Sequence, residues 1–237
     1  MFGSYLEGEF WNNALSFFER KKIWSKLKLF VPEISEITDF TNEKLLKNLK
    51  IWDRLVFEEV EKWKLLSKKW LDKYLVFEIN WTKFAIFDNH NIALYFLWMN
   101  YFKTWRKLDL IHIDQHSDMW EPNFIPENIL NEQELIDYTF KWTNVWNYLI
   151  PAKKFFINEI FQKRTEVSVL ELKQSDVAWK ILNIDLDFWT PEMATTEASL
   201  YHIKRLMFDA ELVLFATSPY FLDQRLAIKL LEKIFYL

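Results

Sequence analysis

The spacing of apolar residues divides the chain into two regions of different character. Between residues 41 and 74, large apolar side chains recur at steps of three and four, from Leu45 to Trp70, with Lys and Glu between them. This period is typical of a helix with one buried face, and Thr41 is suited to cap its first turn. With a second helical pattern over 11–29 and a connection over 33–39, it predicts a helical N-terminal region, residues 1–74. That region is either a packing element or an accessory lobe that shapes access to a site.

From residue 75 onward, short apolar runs alternate with helical patterns. Runs of strand length occupy 75–79, 83–87, 108–113, 181–184 and 211–216, with further candidates at 155–160 and 167–172. Helical patterns occupy 92–102, 132–149, 198–207 and 222–236, and Pro151 is expected to end the second of them. This alternation predicts an α/β layered fold with a largely parallel sheet, formed by residues 75–237 and continuous with the N-terminal region.

Composition excludes several classes of function. The 237 residues carry a formal net charge of −4 and no cysteine, which argues against a general nucleic-acid binder and excludes thiolate metal sites and cysteine nucleophiles. Only two glycines occur, so the glycine-rich phosphate loops of nucleotide-binding folds are absent. Charges interrupt every apolar run before it could span a bilayer, and the N-terminus lacks the pattern of a signal peptide. We therefore expect a cytoplasmic protein whose partners include neither membrane nor nucleic acid.

Candidate metal ligands stand at the ends of the predicted strands. The run over 108–113 continues into Asp114, His116 and Asp118, whose side chains would share one face of an extended backbone. Other strands are followed by His90, by the pair Asp185 and Asp187, and by the Ser218-Pro219 turn. Parallel strands would bring all of these groups to one edge of the sheet, where open α/β folds bind their ligands.

Each motif has an ordinary alternative when it is taken alone. A single Asp-x-Asp usually caps a turn, and a single histidine at a strand end is more often structural than a ligand. Recurrence after successive strands, in a chain with four histidines, favours one shared metal site. Carboxylates crowded at one edge stay ionised together only if cations neutralise them. Four Asp and two His form a thiol-free set that suits two Mn²⁺ ions, with Fe²⁺, Co²⁺ and Zn²⁺ as alternatives.

These motifs resemble those of the ureohydrolases, the superfamily of arginases and agmatinases. Segment 114–118 is similar to their Asp-Ala-His-x-Asp motif, 185–187 to their Asp-Val-Asp motif, and 88–90 to their Gly-Asp-His segment. The wider combination, over 87–90, 111–118, 183–189 and 216–219, is closer to an atypical branch that includes peptide arginases. The resemblance implies a three-layer arginase-like fold with a largely parallel sheet flanked by helices. It also implies hydrolysis of an arginine side chain within a peptide substrate to ornithine and urea.

The resemblance further implies a role for each ligand. One manganese ion would be held by His90, Asp114, Asp118 and Asp185. The other would be held by His116, Asp114, Asp185 and Asp187, so that Asp114 and Asp185 bridge the two ions. Hydroxide would attack the guanidinium carbon, and Asp118 would be the catalytic group that accepts its proton.

The chain departs from the ureohydrolase pattern at several points. Thr190 stands where those enzymes have a third aspartate, and the glycine-rich loops that hold a free amino acid have no counterpart. Both departures favour an arginine that is presented on a peptide. For the proton shuttle, His112 lies within a predicted strand, where we expect a structural role, which leaves His202 as the candidate. For the carboxylate that binds the guanidinium, Asp223 is the first candidate and Glu192 the second.

Two other functions stay open at this point. A deacetylase-like amide hydrolase would share an Asp-x-His and Asp metal set but hold one zinc ion, and the sequence has no His-His pair for its base. A non-catalytic metal-binding module would keep the fold without the chemistry, although all six ligand positions carry suitable residues. Metal content and urea release separate these alternatives.

Overall fold

A seven-stranded sheet forms the centre of the protein in this computed structural model, which describes residues 2–6, 29–62, 64–129, 131–190 and 196–236. The described strands are β1 (Ser4–Leu6), β2 (Leu29–Val31), β3 (Glu33–Ile37), β4 (Ile51–Glu61), β5 (Lys64–Leu71), β6 (Lys73–Ile79), β7 (Thr82–Phe87), β8 (Leu108–Ile113), β9 (Ile157–Lys163), β10 (Ile181–Asp185) and β11 (Leu212–Ala216). The described α-helices are α1 (Asn42–Asn48), α2 (Ala93–Thr104), α3 (Glu132–Lys141), α4 (Leu149–Phe155), α5 (Glu166–Leu170), α6 (Gln174–Val177), α7 (Glu197–Leu206) and α8 (Gln224–Tyr236).

The central sheet has the strand order β3-β6-β7-β11-β10-β8-β9 and is parallel except between β6 and β7. That antiparallel pair is joined by Asn80 and Trp81, whose φ angles of 49° and 73° are typical of a two-residue hairpin turn. The strands β7, β11, β10, β8 and β9 therefore point in one direction. Their carboxyl ends meet at a single edge of the sheet.

Apolar side chains cover both faces of this sheet. In β7, Phe84 and Ile86 belong to one buried cluster, which also contains Ile234 of α8. The alternate residue Phe87 belongs to a second cluster, together with Leu94 of α2. Helices therefore pack on both sides, which confirms the predicted layered α/β fold with a largely parallel sheet. Strands that are buried on both faces read as continuous apolar runs, as β10 and β11 do.

The helix predicted over residues 41–74 is wrong beyond its first turns. Thr41 does cap a helix, since its Oγ1 accepts a hydrogen bond of 3.1 Å from the Lys44 amide, but α1 ends at Asn48. The strands β4 and β5 follow as an antiparallel hairpin with irregular register near Leu55. Such irregularities break the two-residue alternation of a strand, and the resulting apolar spacing resembled that of a helix. The helical N-terminal region is thus corrected to a largely β region over residues 29–71.

Other predicted boundaries need smaller corrections. The connection expected over 33–39 is strand β3, which pairs with β6 in the central sheet. The strand expected over 167–172 is helix α5. The pattern over 132–149 ends at α3, and Pro151 lies in the first turn of α4, where its missing N–H costs no helical hydrogen bond. The predicted helix over 11–29 falls almost entirely outside the described residues, and the division of the chain at residue 74 stays a prediction.

The described helices are all short. None of them combines the length and the apolar character that crossing a membrane requires.

Candidate metal centre

Four neighbouring parallel strands bring polar side chains to one edge of the sheet. His90 follows β7, Asp114 follows β8, Asp185 ends β10, and Ser218 follows β11. The four strands are adjacent, and their carboxyl ends therefore meet, as the sequence predicts. All four side chains are buried, which is unusual for ionisable groups unless they are paired or bind a ligand.

An inner group of side chains is centred on the Nδ1 atom of His90. This atom lies 3.0 Å from Oδ2 of Asp118, 3.1 Å from Oδ2 of Asp185 and 3.3 Å from Oδ2 of Asp114. Ligand atoms that bind one divalent ion at about 2.0–2.2 Å, at right angles, are roughly 3 Å apart. The spacing of the inner group therefore suits one cation.

An outer group, formed by His116, Asp114 and Asp187, shares one residue with the inner group. The Nδ1 atom of His116 lies 3.2 Å from Oδ1 of Asp114 and 3.5 Å from Oδ2 of Asp187. Asp114 thus faces the inner group with one carboxylate oxygen and the outer group with the other. The His116 side chain is 30% exposed, so the outer group is the one that solvent reaches.

The structure thus brings together all six residues that the sequence identified as ligands. Two overlapping groups of ligand atoms at this edge could hold metal ions: His90 with His112 and Asp114, and Asp114 with His116 and Asp187. The identity and number of such ions stay predictions.

The three residues after β8 converge through a bend and not through an extended backbone. β8 ends at Ile113, residues 114–116 bend, and Asp118 has a φ of 51°, in the left-handed region. Aspartate is one of the few non-glycine residues that adopts this conformation readily. The side chain of Gln162 in β9 donates a hydrogen bond of 2.9 Å to the Ser117 carbonyl and holds the loop in place. The predicted convergence is correct, although its predicted cause is wrong.

Hydrogen bonds within the site orient the carboxylates. Ser218 Oγ donates to Oδ2 of Asp185 at 2.6 Å, and the Asp187 amide donates to Oδ1 of the same residue at 3.0 Å. The His116 amide donates to Oδ1 of Asp114 at 2.7 Å. The Ser218-Pro219 turn, which the sequence placed at this edge, therefore contacts a ligand candidate directly.

His112 is the residue of the site that sequence reasoning missed. It lies in β8, fully buried, with its Nε2 atom 3.4 Å from Oδ2 of Asp114 and 4.0 Å from Oδ2 of Asp118. Alternation along β8 could have found it, because residues two apart on a strand share a face. Its position inside an apolar run favoured a structural role instead.

The pKa values of Asp118 and Asp187 are raised by burial and mutual repulsion, whereas the pKa of Asp114 is lowered by neighbouring histidines. Burial, together with the charge of Asp114, raises the pKa of Asp118 to about 6. Burial and the charges of Asp185 and Asp114 raise the pKa of Asp187 well above its usual range. For Asp114, burial also opposes ionisation, but the close approach of His112, His116 and His90 holds its pKa well below the usual range. Without a cation, the cluster can carry its full negative charge only at a cost.

Several buried atoms of the cluster have no hydrogen-bond partner in the part of the chain that the structure describes. They are His90 Nδ1, His112 Nε2, Asp114 Oδ2 and both carboxylate oxygens of Asp187. Unpaired buried polar atoms are costly and are rare in native proteins. Nitrogen and carboxylate oxygen donors that converge without partners are what a bound divalent cation would satisfy, so the residues present fit a metal centre.

Two other predicted site residues, His202 and Asp223, are not part of this cluster. The structure does not bring His202 to the carboxylates, because its Nε2 is hydrogen-bonded to the Leu172 carbonyl at 2.8 Å. Asp223 is exposed, and its carboxylate accepts the amide of Arg225 at 2.9 Å at the start of α8. Both contacts are ordinary structural ones and do not support the predicted catalytic and guanidinium-binding roles. Glu192 lies outside the described residues.

Thr190, which replaces the third aspartate of the ureohydrolase motif, is hydrogen-bonded to the loop after β8. Gln115 Nε2 donates to its Oγ1 at 3.1 Å and also to the Asp187 carbonyl. The threonine therefore links the two segments that carry the outer group.

Aromatic side chains surround the partly exposed end of the cluster. The His116 ring lies 4.8 Å from the Trp146 ring and 5.2 Å from the Phe221 ring, measured between centroids. Trp120 stacks on Trp146 at 5.5 Å and is 59% exposed. An aromatic surface thus leads from the outer group to solvent.

Comparisons of this chain with protein-family models, with curated proteins and with solved structures found no match. The interpretation of the site therefore depends on its own geometry and on the motifs.

Proposed function

We propose that this protein is a dimanganese hydrolase that cleaves the guanidinium of an arginine side chain within a peptide, giving ornithine and urea. The observation that carries the proposal is the position of Asp114, whose Oδ2 lies 3.3 Å from His90 and whose Oδ1 lies 3.2 Å from His116. A carboxylate that faces two ligand groups with its two oxygens is placed to bridge two cations.

Charge and ligand type support two Mn²⁺ ions. The cluster contains the four aspartates Asp114, Asp118, Asp185 and Asp187, whose combined charge two divalent ions would balance. Its donors are carboxylate oxygen and imidazole nitrogen, and the chain has no cysteine. Such donors suit Mn²⁺, and Fe²⁺, Co²⁺ and Zn²⁺ are the competing ions.

The chemistry follows from the arrangement of the side chains. Bound divalent ions would make hydroxide available near neutral pH. They would also stabilise the charge that develops when hydroxide attacks the guanidinium carbon. Asp118, in the inner group, would accept the proton that the attacking hydroxide loses and pass it to the ornithine nitrogen, whose bond to the guanidinium carbon breaks as urea forms. Ser218 and the Asp187 amide keep Asp185 oriented during the reaction, because both of its oxygens accept a hydrogen bond.

The surface beside the outer group supports a peptide substrate. A guanidinium group binds favourably over an aromatic face, and the rings of Trp146 and Phe221 stand next to His116. Trp120 extends the same surface outward, where residues that flank the arginine can pack. The chain has only two glycines, so a glycine-rich clamp for the α-groups of a free amino acid is absent.

The direct test is incubation of the Mn²⁺-loaded protein with arginine-containing peptides. Each converted arginine loses about 42 Da, which is the formal CN₂H₂ unit removed by hydrolysis, and releases one urea. The same peptides with lysine in place of arginine serve as the control. The proposal fails if neither peptides nor small guanidines give urea. One tightly held zinc ion together with amide hydrolysis would favour the deacetylase-like alternative.

A second test concerns the peptide. Trp120→Ala should raise KM for an arginine peptide by about tenfold, equivalent to roughly 1.4 kcal/mol of lost binding, and leave turnover of free arginine unchanged. The matched control is Trp105→Ala, a similarly exposed tryptophan at the opposite edge of the sheet, just before β8. An equal effect of both substitutions, or an equal effect on both substrates, would contradict the assigned peptide surface.

A further inference from the structure

Asn183 is a fully buried amide at the centre of the site that joins its two buried histidines. Its Oδ1 lies 3.3 Å from Nε2 of His90, and its Nδ2 lies 3.1 Å from Nδ1 of His112. The second proton of Nδ2 is donated to the Tyr148 hydroxyl at 2.7 Å. One acceptor and two donors are thus all used, which is the full hydrogen-bonding capacity that its position allows.

The strand register makes this contact possible. Asn183 of β10 and His112 of β8 are directly paired neighbours in the parallel sheet. His90 reaches the same amide from the end of β7, and its ring stacks on that of His112 with centroids 5.2 Å apart. The side-chain amide of Asn183 therefore contacts both histidines.

An amide oxygen can only accept a hydrogen bond, and an amide nitrogen can only donate one. The neutral ring of His90 must therefore carry its proton on Nε2, which leaves the lone pair of Nδ1 facing the three inner carboxylates. The neutral ring of His112 must accept at Nδ1, which leaves its proton on Nε2, facing Oδ2 of Asp114 at 3.4 Å. The same amide thus gives the two rings opposite tautomers.

Reversing the amide would exchange these roles, and the surrounding distances disfavour the exchange. His90 Nδ1 has three carboxylate oxygens within 3.3 Å, whereas His112 Nε2 has one at 3.4 Å and the next at 4.0 Å. A lone pair belongs where the ligand atoms converge, which is at His90.

We propose that Asn183 assigns these roles: His90 is a metal ligand through Nδ1, whereas His112 is a positioning residue outside the ligand set that presents an N–H to the bridging carboxylate of Asp114. This inference rests on the proposed metal site. The role assigned to His112 explains why a third histidine lies at the cluster, although the six proposed ligands are already enough to hold two metal ions. Partners of this kind orient the ligands of metal sites, and their loss commonly costs ten- to a hundredfold in metal affinity.

The test is nitrogen-15 NMR of the histidine rings in the Zn²⁺-loaded protein, since Zn²⁺ is diamagnetic and the chain has four histidines to assign. We expect His90 to carry its proton on Nε2 and to show a metal-induced shift at Nδ1. His112 should keep a proton on Nε2. A deprotonated, metal-shifted Nε2 on His112 would overturn the inference while leaving the metal site intact.

The proposed function fails separately from this inference. Correct tautomers without urea release from the Mn²⁺-loaded protein would refute the activity alone. Absence of any metal-induced shift would refute the metal site and, with it, this inference.

Substitutions give a second measurement. His112→Leu removes the N–H donor and should weaken Mn²⁺ binding at least about tenfold, measured by calorimetry, whereas His112→Gln restores a donor and should recover most of the affinity. The control is Tyr138→Phe, which removes a donor to the Phe124 carbonyl outside the cluster and should leave Mn²⁺ affinity unchanged. Equal losses in the leucine and glutamine variants would contradict the donor role.

Discussion

The carboxyl edge of the parallel strands and the β4–β5 hairpin differ in how deeply most of their polar side chains are buried. At the strand edge, His90 and Asp187 are buried, and atoms of both have no hydrogen-bond partner among the described residues. In the hairpin, Lys69 forms an exposed ion pair with Asp53. Glu58 of β4 is the exception, since it is buried and accepts a hydrogen bond of 2.9 Å from Ser67 Oγ with one of its two carboxylate oxygens. The outer residues of β5 alternate between partly and fully exposed, as expected for a strand that covers a core from outside.

This difference predicts that substitutions at the strand edge change activity, and that substitutions in the hairpin change the stability of the fold. Buried unpaired charge destabilises a protein, and a cluster of such groups is compatible with a metal site that a bound cation would neutralise. Exposed ion pairs contribute little in either direction. Substitutions in the two regions should therefore separate activity from stability.

The largest effect is expected from Asp118→Asn at the strand edge. The amide cannot accept the proton, and turnover should fall at least about a thousandfold, equivalent to roughly 4 kcal/mol of transition-state stabilisation. In the absence of metal, the thermal midpoint of the variant should stay at or above that of the wild type, because a buried charge is removed. Urea release and a melting curve measure both quantities. Unchanged turnover would contradict the role of Asp118.

In the hairpin, the comparable substitution is Trp70→Ala. Trp70 is fully buried in the cluster that covers one face of the sheet, and its truncation should cost about 3–5 kcal/mol of unfolding free energy. Denaturant unfolding measures the loss. Turnover per folded molecule should be retained, and a selective loss of turnover in folded protein would place the hairpin in the site.

Mn²⁺ should stabilise the strand edge and leave the hairpin interactions as they are. A ligand that binds only the folded state at a hundred times its Kd adds about 2.7 kcal/mol of stability. Thermal melts with Mn²⁺ and with a chelator measure this difference. Trp70→Ala should gain the same increment as the wild type, whereas Asp118→Asn should gain less. No increment in the wild type would contradict the metal centre.

The smallest expected effect is a change in thermal stability when one carboxylate in each region, Asp187 or Asp53, is replaced by an amide. Burial and the charges of Asp185 and Asp114 raise the pKa of Asp187, so its contribution to stability is full at low pH and is lost as the pH rises through that raised pKa. In metal-free protein, Asp187→Asn should therefore be more stable than the wild type, by a margin that grows as the pH rises above the ordinary pKa of an aspartate.

The matched control in the hairpin is Asp53→Asn. The hydrogen bond and charge of Lys69 lower the pKa of Asp53, so loss of this carboxylate should have the opposite sign and a small size. Melting curves of both variants with a chelator measure the comparison. A stabilising Asp53→Asn, or a destabilising Asp187→Asn, would contradict the contrast between the regions.

The sequence by itself determined the four strands of the central sheet that carry the site and the residues at their ends. The strands β7, β8, β10 and β11 are buried on both faces and are therefore apolar at nearly every position. Such runs can be identified in the sequence without knowing the neighbouring strand or the register. His90, Asp114 and Asp185 follow these runs directly, and parallel strands bring them together. The convergence of these side chains could therefore be predicted without coordinates, whereas their role as metal ligands stays a prediction.

Only the tertiary structure decided the hairpin and the network around Asn183. Irregular pairing near Leu55 disrupted the alternation by which β4 could have been distinguished from a helix. Asn183, His112 and Tyr148 come from three separate segments, and their contact depends on the register of β10 against β8. The register of two strands cannot be predicted from their local composition, because it is set by packing between distant parts of the chain.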